Sequence, residues 1–189
     1  MSAQPLLDVT RTELEGVVIL KPRRFGDGRG WFTESFNTAR MREAGIDLDF
    51  IQDNQSFSAD KGTVRGLHYQ TPPAAQDKLV RVLAGAILDV AVDLRRASPT
   101  YGRHVSVELS AENGLQLLVP KGFAHGFSTL TPDTMVFYKV TAPYAPDCDK
   151  GIAFDDPDLK IDWGLGGETP ILSDKDGRQP SFASVESPF

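Results

Sequence analysis

Four side chains stand at spacings that could gather chemistry in one small cavity: His68, Gln70, Lys78 and His125. The run GTVRGLHYQTPPAAQDKLVRVLAG sets five residues between Gly62 and His68, and six between Lys78 and Gly85. A divalent transition metal held by such a frame would need a second His two residues after the first and a Glu at the later position. Those positions hold Gln70 and Lys78. A protonated ammonium repels a metal cation and has no lone pair to give it. What the frame offers is a base, His68, beside a cation. Further on, PKGFAHGF adds a second imidazole, His125, in a Pro-x-Gly-x-x-His pattern. His104 lies on the polar side of the amphipathic strand HVSVELS and reads as a solvated residue with no role.

The elements that must position these groups are short. The 189 residues, 40% of them hydrophobic, suffice for one domain with a real core, taken as residues 1–189. Thirteen prolines and seventeen glycines are spread along the chain, which favours many strands and turns over long helices. The helical signal is confined to TARMREAGI, ended by Gly45. A net charge of −6 argues against a general nucleic-acid or anionic-membrane partner, so an anionic ligand must meet a local cluster of Lys and Arg. The lone Cys148 permits no internal disulfide and points to a reducing compartment. With no basic apolar leader in MSAQPLLDVTRTELEG and no membrane-length apolar run, the expected location is the cytoplasm.

Along the chain, GVVILKP reads as a strand leading into the turn RRFGDGRG, which presents Arg29 beside WFTESF. FIQDNQSF carries Gln52, Asp53 and Asn54 in a strand-like run, a pattern that fits a polar pocket or an exposed edge. In TVRGLHYQ, alternation puts Arg65 and Leu67 on one face and Gly66 and His68 on the other, unless Gly66 introduces a bulge. KLVRVLAG and GAILDVAVDL meet at Gly85 in a hairpin or a sharp corner. Asp89, inside the second of these apolar runs, must support Lys78 or a histidine, or else reach solvent. GLQLLVP, FSTL and TMVFYKVTA add further strands, the last carrying Tyr138. The segments DDPDLKIDW and ILSDKDGRQP read as turns and short helical pieces wrapped on a barrel. The expected fold class is therefore all-β, a jelly roll with a few short peripheral helices.

The two histidine half-motifs are similar to those of the cupins, whose conical double-stranded β-helix encloses a ligand cavity. A closer resemblance rests on FGDGRGWFTESF, QDNQSFS, VRGLHYQ, KLVRV, LDVAVDLR, SPTYGR, LSAENGLQLLVPKGFAHGF, FYKVTAPYAP and LSDKD, in that order, from about residue 16 to residue 176. Together these resemble the dTDP-4-dehydrorhamnose 3,5-epimerase family. The resemblance implies a cofactor-free, metal-free cupin, a dTDP-sugar substrate, and a homodimer that exchanges N-terminal strands. It matches His68 to the base, Tyr138 to the proton donor and Asp176 to the carboxylate that pairs with the base. It places substrate contacts on Arg29, Glu34, Gln52, Asp53, Asn54, Arg65, Lys78, His125 and Lys175, and nucleobase contacts on Phe25 and Tyr144. In the loop DCDKG either Asp149 or Lys150 takes the place of a polar contact.

The chemistry that these residue types allow agrees with that resemblance. In a 4-keto-6-deoxy sugar the hydrogens on C3 and C5 are both α to the carbonyl, so a base on one face and an acid on the other can invert either carbon. Neutral imidazole suits the first task, and a carboxylate on its other nitrogen fixes the tautomer. Lys78 and His125 suit the oxyanion, Arg29 and Arg65 the diphosphate. A single-site epimerase of a related sugar, a metal-dependent cupin and a non-catalytic sugar-binding module are the competing expectations.

Overall fold

A computed structural model of the chain describes residues 5–189. Alternating apolar residues broken by Gly and Pro become thirteen strands among the described residues: β1 (Leu7–Arg11), β2 (Val18–Pro22), β3 (Arg24–Asp27), β4 (Gly30–Thr33), β5 (Gln52–Ser58), β6 (Val64–Gln70), β7 (Lys78–Ala84), β8 (Ala86–Asp93), β9 (His104–Ser110), β10 (Gln116–Val119), β11 (Phe123–Thr129), β12 (Thr134–Val140) and β13 (Asp149–Gly151). They form a six-stranded sheet, β1-β2-β10-β7-β12-β5, a five-stranded sheet, β13-β6-β11-β8-β9, and a separate hairpin, β3-β4. All the ladders between strands are antiparallel. The two larger sheets face each other, and consecutive strands cross between them, which is the jelly-roll arrangement.

Gly85 turns out to be a corner and not a hairpin, because β7 belongs to one sheet and β8 to the other. Its φ of +76° suits glycine, and a side chain there would run into the hydroxyls of Thr131 and Thr134. FSTL is not a strand of its own. Its residues continue β11, which pairs with β8 without a break from Phe123 to Thr129.

Between the sheets, Val80, Val82, Leu117 and Val136 from one meet Ile87, Ala91, Leu109 and Phe123 from the other, all buried. Each such side chain contributes about 1.5–3 kcal/mol by leaving water. The outer face of the six-stranded sheet is covered by α1 (Thr38–Glu43), which Asn37 caps by accepting hydrogen bonds from the Ala39 and Arg40 amides. Met41 and Ile46 pack there against Val18, Leu20, Leu79 and Leu118. The outer face of the five-stranded sheet is covered by the C-terminal segment through Ile152, Leu159 and Trp163. That covering carries Ser173, Lys175 and Asp176 back to the end of β6, where Ile171 bridges to Thr63.

Where β6 meets β11, His125 pairs with His68 but Phe127 pairs with Arg65, so β6 holds one extra residue. This bulge overrides simple alternation. Leu67 turns outward into the buried cluster beneath the C-terminal segment, while Arg65 and His68 line the same cavity. Gly66 (φ +120°) makes the bulge possible, since a Cβ there would lie 2.7 Å from Gly126 Cα and 2.8 Å from the His125 carbonyl oxygen. Gly66→Ala is expected to cost about 2–5 kcal/mol in denaturant unfolding, with activity falling further than the unfolded fraction explains. Unchanged stability would remove the bulge from this account.

Candidate active site

The apolar core fills only part of the space between the sheets. Beyond it lies a cavity of about 290 Å³ lined by Ser56, Arg65, His68, Lys78, His125, Phe127, Tyr138, Ser173, Lys175 and Asp176. A second space of about 260 Å³ shares His68, Lys78, Tyr138 and Lys175 with it and adds Gln52, Asn54, Tyr144 and Asp149. Strand alternation puts Lys78, Val80 and Val82 on one inner face, and position along the strand divides cavity from core. On β7, Lys78 faces the cavity while Val80 and Val82 face the core; on β12, Tyr138 follows Val136 on the inner face. A larger concavity of about 770 Å³, between Pro5–Arg24 and Glu108–Asn113, is an open groove that contains none of these residues.

His68 Nε2 lies 2.5 Å from Asp176 Oδ1. A carboxylate can only accept, so Nε2 bears the hydrogen and Nδ1 keeps its lone pair. Asp176 is itself fixed, since its second oxygen accepts from Ser173 Oγ at 2.9 Å and its amide donates back to that hydroxyl at 3.1 Å. Burial pushes the Asp176 carboxyl up, but the hydrogen bond and charge of His68, with Ser173 and Lys175, outweigh it and hold the group below its ordinary range. Across the cavity, on the facing sheet, Tyr138 is partly buried. Burial raises its phenol pKa, which keeps the proton in place at neutral pH.

Lys78 projects between these walls. Burial lowers its pKa to about 8, against the opposing pull of Asp89 and Asp149. Asp89 faces inward: it is fully buried, and Oδ1 accepts from His125 Nε2 at 2.6 Å. Of the roles open to it, support of a histidine is the one realised, with the Lys78 charge in reach.

At the mouth, Asp149 Oδ2 accepts from Lys175 Nζ at 2.5 Å and from the Tyr144 hydroxyl at 3.0 Å. Lys150, the neighbouring residue, is exposed. Asp149 is thus the member of DCDKG that faces the site. Gln52 Oε1 accepts from the Tyr144 amide, and Gln52 donates to Asn54. Gln70, at one vacated metal-ligand position, is spent on backbone: it donates to the Ala74 and Pro143 carbonyls and accepts from the Ala145 amide. Among the described residues no group of three or more His, Cys, Asp or Glu side chains is arranged to hold a metal.

Four sequence candidates lie outside this chain's cavity. Asp53 points to the opposite side of β5, where Lys139 Nζ reaches it at 2.9 Å, because neighbours in a strand alternate in direction. Phe25 and Arg29 lie on the β3–β4 hairpin and Glu34 just beyond it. Arg29 is 91% exposed and paired with Asp27, Phe25 lies beneath the Arg23 guanidinium, and Glu34 pairs with Arg40. Conversely, Ser56, Phe127 and Ser173 belong to the site without having been assigned to it, whereas Asp89 and Asp149 had each been one of several alternatives. Ser56 follows from Gln52 and Asn54 by steps of two. His104 is half-buried, not solvated, and burial lowers its pKa.

A base and a phenol on facing walls, with an ammonium lining the same cavity, suit inversion of a carbon beside a carbonyl, and the jelly roll that carries them places the chain among the cupin-type epimerases. The family model described as dTDP-4-dehydrorhamnose 3,5-epimerase matches residues 11–184. A protein of that name from Sinorhizobium fredii is 53% identical over 92% of this chain and 88% of its own length. A Bacillus anthracis dTDP-4-dehydrorhamnose 3,5-epimerase, solved with TDP and PPi bound, superposes with a TM-score of 0.91 at 50% identity, covering 93% of this chain and 99% of its own. A Legionella pneumophila dTDP-6-deoxy-D-glucose-3,5-epimerase in complex with dTDP-4-keto-L-rhamnose gives a TM-score of 0.91 at 45% identity, covering 95% of each chain. The chain belongs to the dTDP-4-dehydrorhamnose 3,5-epimerase family.

The state of Lys78 makes the site's pH response specific. Below its pKa of about 8 the side chain is an ammonium able to stabilise an oxyanion, and above it that charge is lost. The kcat/KM profile is expected to fall above pH 8 with a single ionisation. Lys78→Arg, slower but permanently charged, should lack that limb. The same limb in the Arg variant would assign it to another group.

Proposed function

We propose that this cavity epimerises dTDP-4-dehydro-6-deoxy-D-glucose at C3 and C5, giving dTDP-4-dehydro-L-rhamnose, with the following roles for its residues. His68 Nδ1 removes the hydrogen α to the C4 carbonyl, and Asp176 stabilises the imidazolium as it forms. The electron pair moves onto O4, where Lys78 and the Asp89-held His125 meet the charge; a preorganised donor of this kind is worth about 3 kcal/mol. Tyr138 then delivers its phenolic proton to the opposite face of the carbon. Once the His68 imidazolium has released its proton to solvent and the Tyr138 phenolate has regained one from it, the same cycle at the second carbon completes the product, and the electrons balance with no redox partner. The observation that carries this reading is that His68 and Tyr138 line one cavity from facing sheets, with Lys78 lining it from the strand beside Tyr138's.

Arg65 and Lys175 supply positive charge for the diphosphate, while Gln52, Asn54 and Tyr144 at the mouth suit the nucleoside. The working unit is a homodimer. In support, the hairpin exposes Phe25, Trp31 and Phe32, the last at 69%, and the outer sheet face exposes Phe57 opposite Met135, with Leu83 also exposed on β7. Exposed aromatic side chains in this number mark a contact surface. Within the chain β1 and β2 stay paired onto β10, so the segment given to the partner's site is the β3–β4 hairpin with Phe25 and Arg29, followed by Glu34. A reducing cytoplasm fits the single Cys148, and no helix among the described residues is long and apolar enough to cross a membrane.

In deuterated buffer, Tyr138→Phe is expected to exchange substrate hydrogen with little inversion, whereas His68→Ala should lose both by roughly 100-fold or more. Inverted product at near wild-type rate from the His68 variant would sink the assignment. For the dimer, mixing separately inactive Arg29→Ala and His68→Ala proteins should restore turnover, because each mixed dimer has one site with both groups. No recovery after subunit exchange, shown by native mass spectrometry, would confine Arg29 to its own chain.

A further inference from the structure

Ser56 has no part in the chemistry above, yet its hydroxyl, like the second oxygen of Asp89, is buried at the site without a hydrogen-bonding partner among the described residues. On β5, Gln52, Asn54 and Ser56 face inward while Asp53, Gln55 and Phe57 face out. Ser56 pairs with Val136 and Asn54 with Tyr138, so Ser56 stands one pleat along from the proposed proton donor on the next strand. Beside it, the Arg65 guanidinium is clamped to β5, with Nη2 donating to the Phe57 carbonyl at 3.0 Å and Nε to Ser58 Oγ at 3.2 Å. The Ser56 hydroxyl itself is buried and has no hydrogen-bonding partner among the described residues. A hydroxyl held in a low-dielectric wall without a partner costs stability, and such a cost persists where a ligand removes it.

We infer that Ser56 Oγ is a specificity contact that bonds a ring hydroxyl of the sugar. This rests on the epimerase reading, which also narrows the hydroxyl. In a 4-keto-6-deoxy sugar C1 bears the diphosphate, C4 is the carbonyl at Lys78 and His125, and C6 is a methyl. The free ring hydroxyls are those on C2 and C3. The bond orients the ring so that the carbons flanking the ketone face His68 and Tyr138, and it disfavours sugars lacking that hydroxyl by leaving Ser56 unpaired.

The test pairs enzyme and substrate changes. On dTDP-4-keto-6-deoxyglucose, Ser56→Ala is expected to lower kcat/KM roughly 10-fold. On one of the 2-deoxy and 3-deoxy analogues, followed by exchange at C5, Ser56→Ala and wild type should perform alike. The melting temperature of the ligand-free variant should be equal to or above wild type, since an unpaired buried hydroxyl has been removed. Ser56→Cys, similar in shape but a weaker hydrogen-bonding group, should fall between the two. An equal loss on the parent and both analogues, no loss on the parent, or a lowered melting temperature overturns the inference. Wild-type turnover of the parent is the separate control, and its absence would fell the epimerase reading instead.

Discussion

One hydrogen bond, from His68 to Asp176, joins residues 108 positions apart and sets the demands on everything between them. His68 belongs to a strand of the five-stranded sheet, Asp176 to a C-terminal turn that must be brought back across that sheet's outer face. Ile152, Leu159 and Trp163 hold the covering segment down by burying apolar surface. Ser173 then fixes the residue, its hydroxyl donating to the carboxylate and accepting from the Asp176 amide. The imidazole's working nitrogen is defined by this chain of contacts, since the other neutral tautomer would turn a lone pair, not a donor, toward the Asp176 carboxylate.

The cavity is electrostatically tight. His68, Lys78, His125 and Lys175 each have a carboxylate in contact or near at hand, in Asp176, Asp89 and Asp149. Burial of so many ionisable groups is tolerable because the charges neighbour one another and Asp176 and Asp149 each accept two hydrogen bonds, while Asp89 accepts one from His125. Burial leaves the Lys78 proton less tightly held than on a solvated lysine, and the nearby Asp89 and Asp149 limit that loss.

Much of this was legible in the sequence, and the exceptions have physical causes. Strand patterning and the paired His motifs led to the jelly roll, and His68, Lys78, His125, Tyr138, Lys175 and Asp176 do converge on one space. Arg65 and His68 share a wall only because of the Gly66 bulge, and period-two alternation cannot reveal an inserted residue. Asp53 was grouped with its neighbours as a polar block, although adjacent strand residues face opposite ways. Asp89 was ambiguous because an acidic residue in an apolar strand says only that a partner exists; the β8–β11 register sets it opposite Phe127 with His125 diagonally across, and the hydrogen bond to His125 identifies the partner. Phe25, Arg29 and Glu34 lie where one chain by itself gives them no shared cavity.

The ion pair at the mouth has a consequence for how a charged guest is admitted. Lys175 is already engaged by Asp149, which also holds the Tyr144 hydroxyl. An arriving phosphate therefore does not fall onto a bare cation but trades places with a resident anion, as on an ion-exchange resin. Selectivity under such exchange grows with the valence of the newcomer, because a doubly charged group recovers the lost pairing where a singly charged one barely breaks even. On the proposed pairing of Lys175 with the diphosphate, this exchange favours sugars delivered on a diphosphate over the many simpler anions of a cell.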